Sequence, residues 1–227
     1  MERPYVHINC AASLDGKISK PDGSRLRISG EHDMERVHRL RSDMGAVLVG
    51  AGTVISDDPK LRIKEIFVPR PPPIFKIIMD GRGTIPTSSR FLRTPGRSII
   101  ATSEHCSQDW LKGIGSTIEE EELDAEVVRF PDVDGNFDPR TLLEELASRG
   151  ITSLLVEGGS NIIWQFVSGE LFDKMTIYFG PMMVGGAGPT IMGGEGHMQD
   201  PISVVVQEML RSLDGGMLVT VTPSVHS

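Results

Sequence analysis

Short runs of β-branched and aliphatic residues alternate along this chain with stretches that carry helix signals, which restricts it to an α/β sheet with helices packed on its faces. Residues 5–12, 45–50, 74–80, 97–102, 125–130, 151–156 and 172–179 read as strands. Helix signals run from about 31 to 44. Asp138-Pro139 opens another helix, with Asp as N-cap and Pro at the first helical position, and Gly150 is its stop. Residues 161–167 give a short helix, and residues 202–210 and 217–221 around Asp214-Gly-Gly216 read as an antiparallel hairpin. At 227 residues and 39% hydrophobic content the chain can bury one large core. No repeat or low-complexity linker divides it, so a single domain over residues 1–227 is expected.

The second strand runs into Val47-Leu-Val-Gly-Ala-Gly-Thr-Val-Ile-Ser-Asp-Asp-Pro-Lys-Leu61. A buried run that breaks into two glycines, a threonine and an acid pair closed by proline has the character of a ligand-binding turn. Gly50 and Gly52 let backbone N–H groups approach an anion. A doubly wound dinucleotide fingerprint would require Gly or Ala at position 55, where this chain has Ile55. Asp57-Asp58-Pro59 also opposes a long helix after the turn, because proline disfavours helical geometry in the residue before it and aspartates favour caps and turns. The sheet is not assembled from Rossmann halves.

Composition removes several function classes. No apolar stretch approaches the roughly 20 residues needed to span a bilayer, and the N-terminus lacks a signal-peptide apolar region, so a soluble cytoplasmic protein is expected. Two cysteines, Cys10 and Cys106, supply neither a metal site nor a disulfide framework, and no metal is expected. Zinc deaminase chemistry needs H-x-E and P-C-x-x-C motifs, which are absent. A net charge of −8 with no basic stripe opposes nucleic-acid binding. The acidic run at 119–122 reads as a solvated turn. None of the six histidines joins a Ser or Cys nucleophile in a hydrolase motif, and His7, in a strand, reads as structural.

Four constellations remain. On the helix at 31–44, Met34, Val37, Leu40 and Met44 form the apolar stripe, and Arg41 falls on it while Arg36 and Arg39 point the other way into water. An inward guanidinium needs an anionic partner, either a buried structural carboxylate or a substrate phosphate or carboxylate. Leu154-Leu-Val-Glu-Gly-Gly-Ser160 delivers two glycines from a strand to a helix N-terminus, where backbone N–H groups and the helix dipole favour a diphosphate. Glu157, at the strand's end, is either a ligand contact or a helix-start carboxylate bonded to nearby amides. The segment from Gly180 to Gly196 carries seven glycines and reads as a mobile flap or a second ligand-facing loop. Asp80-Gly81-Arg82-Gly83 is a strand end with two glycines and an arginine suited to a nucleotide 2′-phosphate, or a plain surface turn.

Taken in order, Ala12-Ser-Leu-Asp-Gly-Lys17, Arg27-Ile-Ser-Gly30, Val37-His-Arg-Leu-Arg41, Val49-Gly-Ala-Gly-Thr-Val54, Asp57-Asp-Pro59 and Glu157-Gly-Gly-Ser160 resemble the riboflavin-biosynthesis reductase family over nearly the whole chain. The resemblance implies a dihydrofolate-reductase-like three-layer fold with a mostly parallel central sheet and a C-terminal antiparallel hairpin. It implies NADPH as cofactor, a phosphorylated pyrimidine as substrate and a homodimer. Without an attached deaminase, the chain looks like the stand-alone archaeal or fungal type, which is expected to reduce the ribosylamino group of the 2,5-diamino pyrimidinone phosphate to a ribitylamino group. A pterin or folate reductase on the same fold and a non-catalytic NADP-binding sensor are the competing readings.

Carried over residue by residue, the resemblance places Thr53 and Asp57 at the nicotinamide side of the cofactor. It gives the diphosphate to Gly158, Gly159 and Ser160, and lines the nucleotide with Asp80, Gly81, Arg82 and Gly83. Arg41 and Glu157 match substrate contacts. Arg27 stands where bacterial relatives often have tryptophan, and Lys64 where they have a substrate-contacting arginine, so the phosphate end is expected to be held differently here. Asp57 and Glu157 are the acids placed to supply a proton.

Overall fold

The computed structural model describes residues 3–132, 136–196 and 201–224. Among the described residues, nine strands form one sheet in the order β5-β4-β3-β2-β6-β1-β7-β9-β8. They are β1 (Tyr5–Ser13), β2 (Ala46–Gly50), β3 (Phe75–Met79), β4 (Ser98–Ser103), β5 (Ala125–Phe130), β6 (Ser153–Gly158), β7 (Lys174–Gly180), β8 (Val204–Arg211) and β9 (Met217–Pro223). The pairs from β5 to β7 are parallel, and β9 lies antiparallel between β7 and β8. The mostly parallel sheet and the C-terminal antiparallel pair therefore match the expectation.

Among the described residues, five α-helices cover the two faces: α1 (Glu31–Met44), α2 (Ala51–Asp57), α3 (Gln108–Glu120), α4 (Pro139–Ser148) and α5 (Ser160–Ser168). One face of the sheet, with Ile8, Leu48, Ile77, Leu154 and Val156, packs on Leu142 and Leu146 of α4 and Ile163 and Phe166 of α5. The other, with Val47, Val49, Ile78 and Leu155, packs on Met44, Val54 and Ile114 of the remaining helices. Strands buried on both sides read as continuous apolar runs, which is why the parallel strands were visible in sequence.

Two segments depart from the sequence expectations. Residues 51–57 are helical rather than a turn, although the helix is short and ends on Asp58 in the left-handed conformation, as the acid-acid-proline signal required. Helix α3 was not expected; it starts on Ser107, whose hydroxyl accepts from the Trp110 amide, and its last turn takes in Glu119 and Glu120 of the acidic run, which was expected as a solvated turn. Arg36 is also not free in water. Its guanidinium makes two bonds of 2.9 and 2.7 Å to the buried Asp33 carboxylate, one turn back on α1. Arg39 pairs with Glu35 on the exposed side.

Helix α1 has glycine at its N-cap and no cap of its own. The hairpin between β8 and β9 supplies one: the Asp214 carboxylate accepts from the amides of His32 at 3.2 Å and Asp33 at 2.9 Å. This fixes the C-terminal hairpin against α1 and satisfies donors that would otherwise be orphaned.

Two buried histidines make stability depend on pH. His7 bonds the Thr176 hydroxyl at 2.8 Å, and His38 stacks on Phe67 with ring centroids 5.0 Å apart. Burial, helped by Lys174 and Arg36 at His7 and by Arg41 and Lys64 at His38, lowers both from 6.5 to about 4. Between those values the unfolded chain binds more protons than the folded one, so stability is complete above about pH 6.5 and is lost as pH falls toward 4. A urea-unfolding series across that range should show the decline, and His38→Gln should make it shallower. A flat profile in the unmodified protein would contradict the burial account.

Candidate active site

Strands β2 and β6 lie side by side, with Val49 opposite Gly158, yet come from points about a hundred residues apart in the chain. The helix that follows β2 packs on one face and the helix that follows β6 packs on the other. The sheet thus opens a crevice beyond the carboxyl ends of these two strands, where open α/β sheets bind ligands. A cleft of about 530 Å³ occupies this position, lined by Gly50, Ala51, Gly52, Thr53, Ser56 and Asp57 from one side and Gly159, Ser160, Asn161 and Ile162 from the other.

The glycines have separable roles. A Cβ on Gly50 would meet Ile162 Cγ1 at 2.5 Å, so glycine there lets α5 close against the end of β2. A Cβ on Gly159 would meet the Thr53 hydroxyl at 3.3 Å. Gly158 has φ +130°, a conformation side chains rarely adopt, and Gly52 faces open space with nothing within 4 Å. No packing requirement explains glycine at position 52. Its absent side chain leaves the cleft wall bare.

Helix capping singles out the same place. Helices α3 and α4 take side-chain caps from Ser107 and Asp138, and α1 takes Asp214. Helices α2 and α5, with Gly50 and Gly159 at their N-caps, have no side-chain cap, and both begin at the cleft. Free amides and the positive end of the α5 dipole suit an anion there.

A smaller cavity of about 180 Å³ adjoins the cleft, sharing Ala51 and Ile162 with it, and is lined by Asp80, Gly81 and Arg82. The Asp80 carboxylate is committed to its own turn: it accepts from the amides of Thr84 at 2.6 Å and Ile85 at 2.8 Å, and from the Thr84 hydroxyl at 2.9 Å. Gly83 has φ +69°, and a Cβ on it would lie 2.6 Å from the Trp110 ring. These two residues shape the turn, while the Arg82 side chain is exposed.

The roof is made by two loops. Leu14 and Ile18 amides bond the carbonyls of Met182 and Pro189 at 2.9 and 3.0 Å, and the Lys17 ammonium bonds Gly188 at 3.1 Å. Asp15 accepts from Val184 at 3.0 Å and Gly185 at 2.6 Å. The Ser13 hydroxyl, together with those amides, lowers the Asp15 carboxyl to about 2. The glycine-rich segment is thus tied to the loop after β1, and its Pro189 forms part of the cleft wall. Arg25, which drew no expectation, also lines the cleft, as do Ser56 and Asn161. Arg27 is exposed and outside the cleft lining.

Arg41 and Glu157 find each other. Arg41 Nε and Nη2 donate to the two Glu157 oxygens at 2.7 and 2.6 Å, and Nη1 donates to the Arg62 carbonyl at 2.8 Å. Their side chains are 15% and 11% exposed. Burial alone would lower the Arg41 pKa, but the Glu157 charge and hydrogen bonds outweigh it and raise it. Among the described residues Glu157 is not bonded to the amides of the following helix; its partner is Arg41, which also holds the Arg62 carbonyl. Lys64 is exposed, with its amide bonded to His38 Nδ1 at 3.4 Å, and it lines a separate groove.

Comparison with known proteins bears on the family and the fold. Residues 4–219 match the RibD C-terminal domain family. The chain is 35% identical over 205 residues to the 2,5-diamino-6-ribosylamino-4(3H)-pyrimidinone 5′-phosphate reductase of Archaeoglobus fulgidus, covering 87% of this chain and 90% of that protein. It is 36% identical over 206 residues to the Methanothermobacter thermautotrophicus protein of the same name, covering 88% and 89%. A crystal structure from Thermotoga maritima, titled as a diaminohydroxyphosphoribosylaminopyrimidine deaminase and 5-amino-6-(5-phosphoribosylamino)uracil reductase, superposes with a TM-score of 0.76 at 26% identity. That match covers 98% of this chain and 57% of the other. A family match across nearly the whole chain, together with relatives of similar length, establishes that the chain belongs to the RibD C-terminal domain family.

Proposed function

We propose that the protein reduces the ribosylamino group of 2,5-diamino-6-(ribosylamino)pyrimidin-4(3H)-one 5′-phosphate to a ribitylamino group with NADPH, in riboflavin biosynthesis, on a dihydrofolate-reductase-like fold. The observation that carries this reading is the pair of helix N-termini without side-chain caps at one cleft, beside a second cavity that holds Arg82. An elongated ligand with a central diphosphate fits that layout. Bound NADPH supplies the hydride that ends on C1′ of the opened ribose.

The chain's own residues do the rest. Gly159 and Ser160 hold the diphosphate at the start of α5, beside the backbone bend at Gly158. Thr53 and Asp57 face the nicotinamide side. Arg82, on the turn shaped by Asp80, Gly81 and Gly83, meets the 2′-phosphate of the cofactor. Arg41, Lys64 and Arg27 are the substrate-side cations. Of the two acids, Glu157 has both oxygens engaged by Arg41 and fixes its orientation, whereas Asp57 is exposed at the end of α2, on the cleft wall, and supplies the proton. The cytoplasmic location and the homodimer belong to the same proposal. The latter is supported by β8, an edge strand exposed along its whole length with Val205, Met209 and Leu210 in water.

Cofactor choice tests the placement of Arg82. NADPH should exceed NADH in kcat/KM by at least about tenfold, the worth of one charge-assisted contact, and Arg82→Ala should remove most of that preference through KM for NADPH. Equal use of the two cofactors by the unmodified protein would refute the assignment.

A further inference from the structure

Lys76, on β3, is 0% exposed and belongs to neither the cleft nor the cavity beside it. It lies three residues before Met79 ends the strand, about 10 Å below the strand ends that carry the cleft. Its ammonium donates to the Phe91 carbonyl at 2.7 Å and to the Thr94 carbonyl. Among the described residues it has no carboxylate bonded to it, and Asp124 acts on it only as a nearby charge. Burial lowers its pKa from 10.5 to about 8 against the pull of Asp124. A charge held this deep opposes folding, and an apolar side chain would fill the same space without that penalty. The two carbonyls explain the lysine. They belong to the 3₁₀ turn Arg90–Arg93 and to Thr94 after it, and Phe91 and Leu92 of that turn pack in the same cluster as Val54 of α2.

Helix α2 needs an anchor. It is seven residues long, Val54 is its one buried residue, and no side chain caps its start. A helix this short does not hold its place by local propensity. Among the described residues, one side-chain hydrogen bond leaves it: the carboxylate of Asp58, its C-cap residue, accepts from the Arg90 amide at 2.8 Å. The Arg90 guanidinium lies 3.9 Å from the same carboxylate. Lys76 thus holds the turn from beneath at Phe91 and Thr94, and the turn holds α2 at Asp58. Thr53, Ser56 and Asp57 are carried on that helix into the cleft wall.

We propose that Lys76 is a positioning residue for the reductase site: through the turn at 90–94 and Asp58 it fixes the place of α2, and with it Thr53 and Asp57. This rests on the cofactor reading of the cleft given above. Lys76→Met should raise the Kd for NADPH at least about fivefold and lower kcat about tenfold, because a helix displaced by a fraction of an ångström misaligns Thr53 and Asp57 together. Asp58→Ala should show the same pair of defects. Because both changes release one tether, the double variant should be no worse than the worse single, whereas independent sites would multiply their effects. If Lys76→Met does not fold, the cycle runs with Lys76→Gln, which keeps a donor on a shorter arm. Folded variants with unchanged Kd and kcat, or single effects that multiply, would overturn the assignment.

Amide hydrogen exchange separates the tether from the reaction. Without any ligand, exchange across residues 51–58 should be faster in both single variants than in the unmodified protein, while exchange in β1 and β6 stays the same. That pattern would uphold the tether even if the unmodified protein bound no NADPH, an outcome that defeats the cofactor reading alone. Exchange across 51–58 that is unchanged in the folded Lys76 variant would overturn the positioning role even if its turnover fell.

Discussion

Arg41→Met is expected to lower the unfolding free energy by about 3 kcal/mol and to abolish turnover, whereas Arg41→Met combined with Glu157→Leu should recover most of the stability and none of the activity. The single change strands the Glu157 carboxylate, which is 11% exposed and loses both of its short contacts. A buried charge without its partner costs several kcal/mol, and replacing both members of such a pair by apolar groups of similar volume is close to neutral. Catalysis should not follow the same pattern, because the guanidinium that remains anchored through Glu157 is the group offered to the substrate. Urea midpoints report the first quantity and steady-state kinetics the second. A double variant with the unmodified protein's kinetics would reduce the pair to a structural one.

The second large effect is expected from Gly52→Glu. Position 52 lies in the first turn of α2, faces open space and lines the cleft. A carboxylate near a helix N-terminus is favourable for the fold by roughly 0.3–1 kcal/mol, so stability should hold or rise. The same carboxylate places a negative charge in the cavity assigned to an anionic cofactor. The Kd for NADPH should increase by at least about a hundredfold, equivalent to about 3 kcal/mol, when followed by cofactor fluorescence. Unchanged affinity would move the cofactor out of this cleft. Gly52→Ala is the milder companion, with space for its methyl group and a smaller loss of affinity.

Much of the fold was legible because both faces of the parallel strands are covered, which made strands such as 46–50 and 98–103 read as unbroken apolar or small-residue runs. Helix α4 announced itself through Asp138 and Pro139, and the structure places the Asp138 side chain on the Arg140 amide as a cap. Helix α3 was not legible. Gly113 and Gly115 each weaken an isolated helix by about 1 kcal/mol, and the segment forms because Trp110, Ile114 and Ile118, spaced four apart, pack on the sheet. Tertiary burial outweighed local propensity.

The site divides along a similar line. Thr53, Asp57, Gly159 and Ser160 were assigned to one cofactor only through the family resemblance, and all four line one cleft. The wheel of α1 put Arg41 inward, but the identity of its partner depends on the crossover that inserts β6 between β1 and β2. Arg36 misled because its partner Asp33 lies on the same helix, where the neighbouring Ser29 bonds its carboxylate and Asp214 caps its amide from across the fold. Arg25 carries no local signal at all; it reaches the cleft through an irregular loop whose path is set by its bonding to the glycine-rich segment.

The most direct measurement is the product formed from the diaminopyrimidinone ribosylamino phosphate and NADPH, identified by mass and fragmentation. The account predicts a product two hydrogens heavier, with the added hydride at C1′ of the opened sugar and the pyrimidine ring unchanged, formed faster than any reduction of dihydrofolate. Faster turnover of dihydrofolate, or tight NADPH binding with oxidation by neither compound, would contradict it.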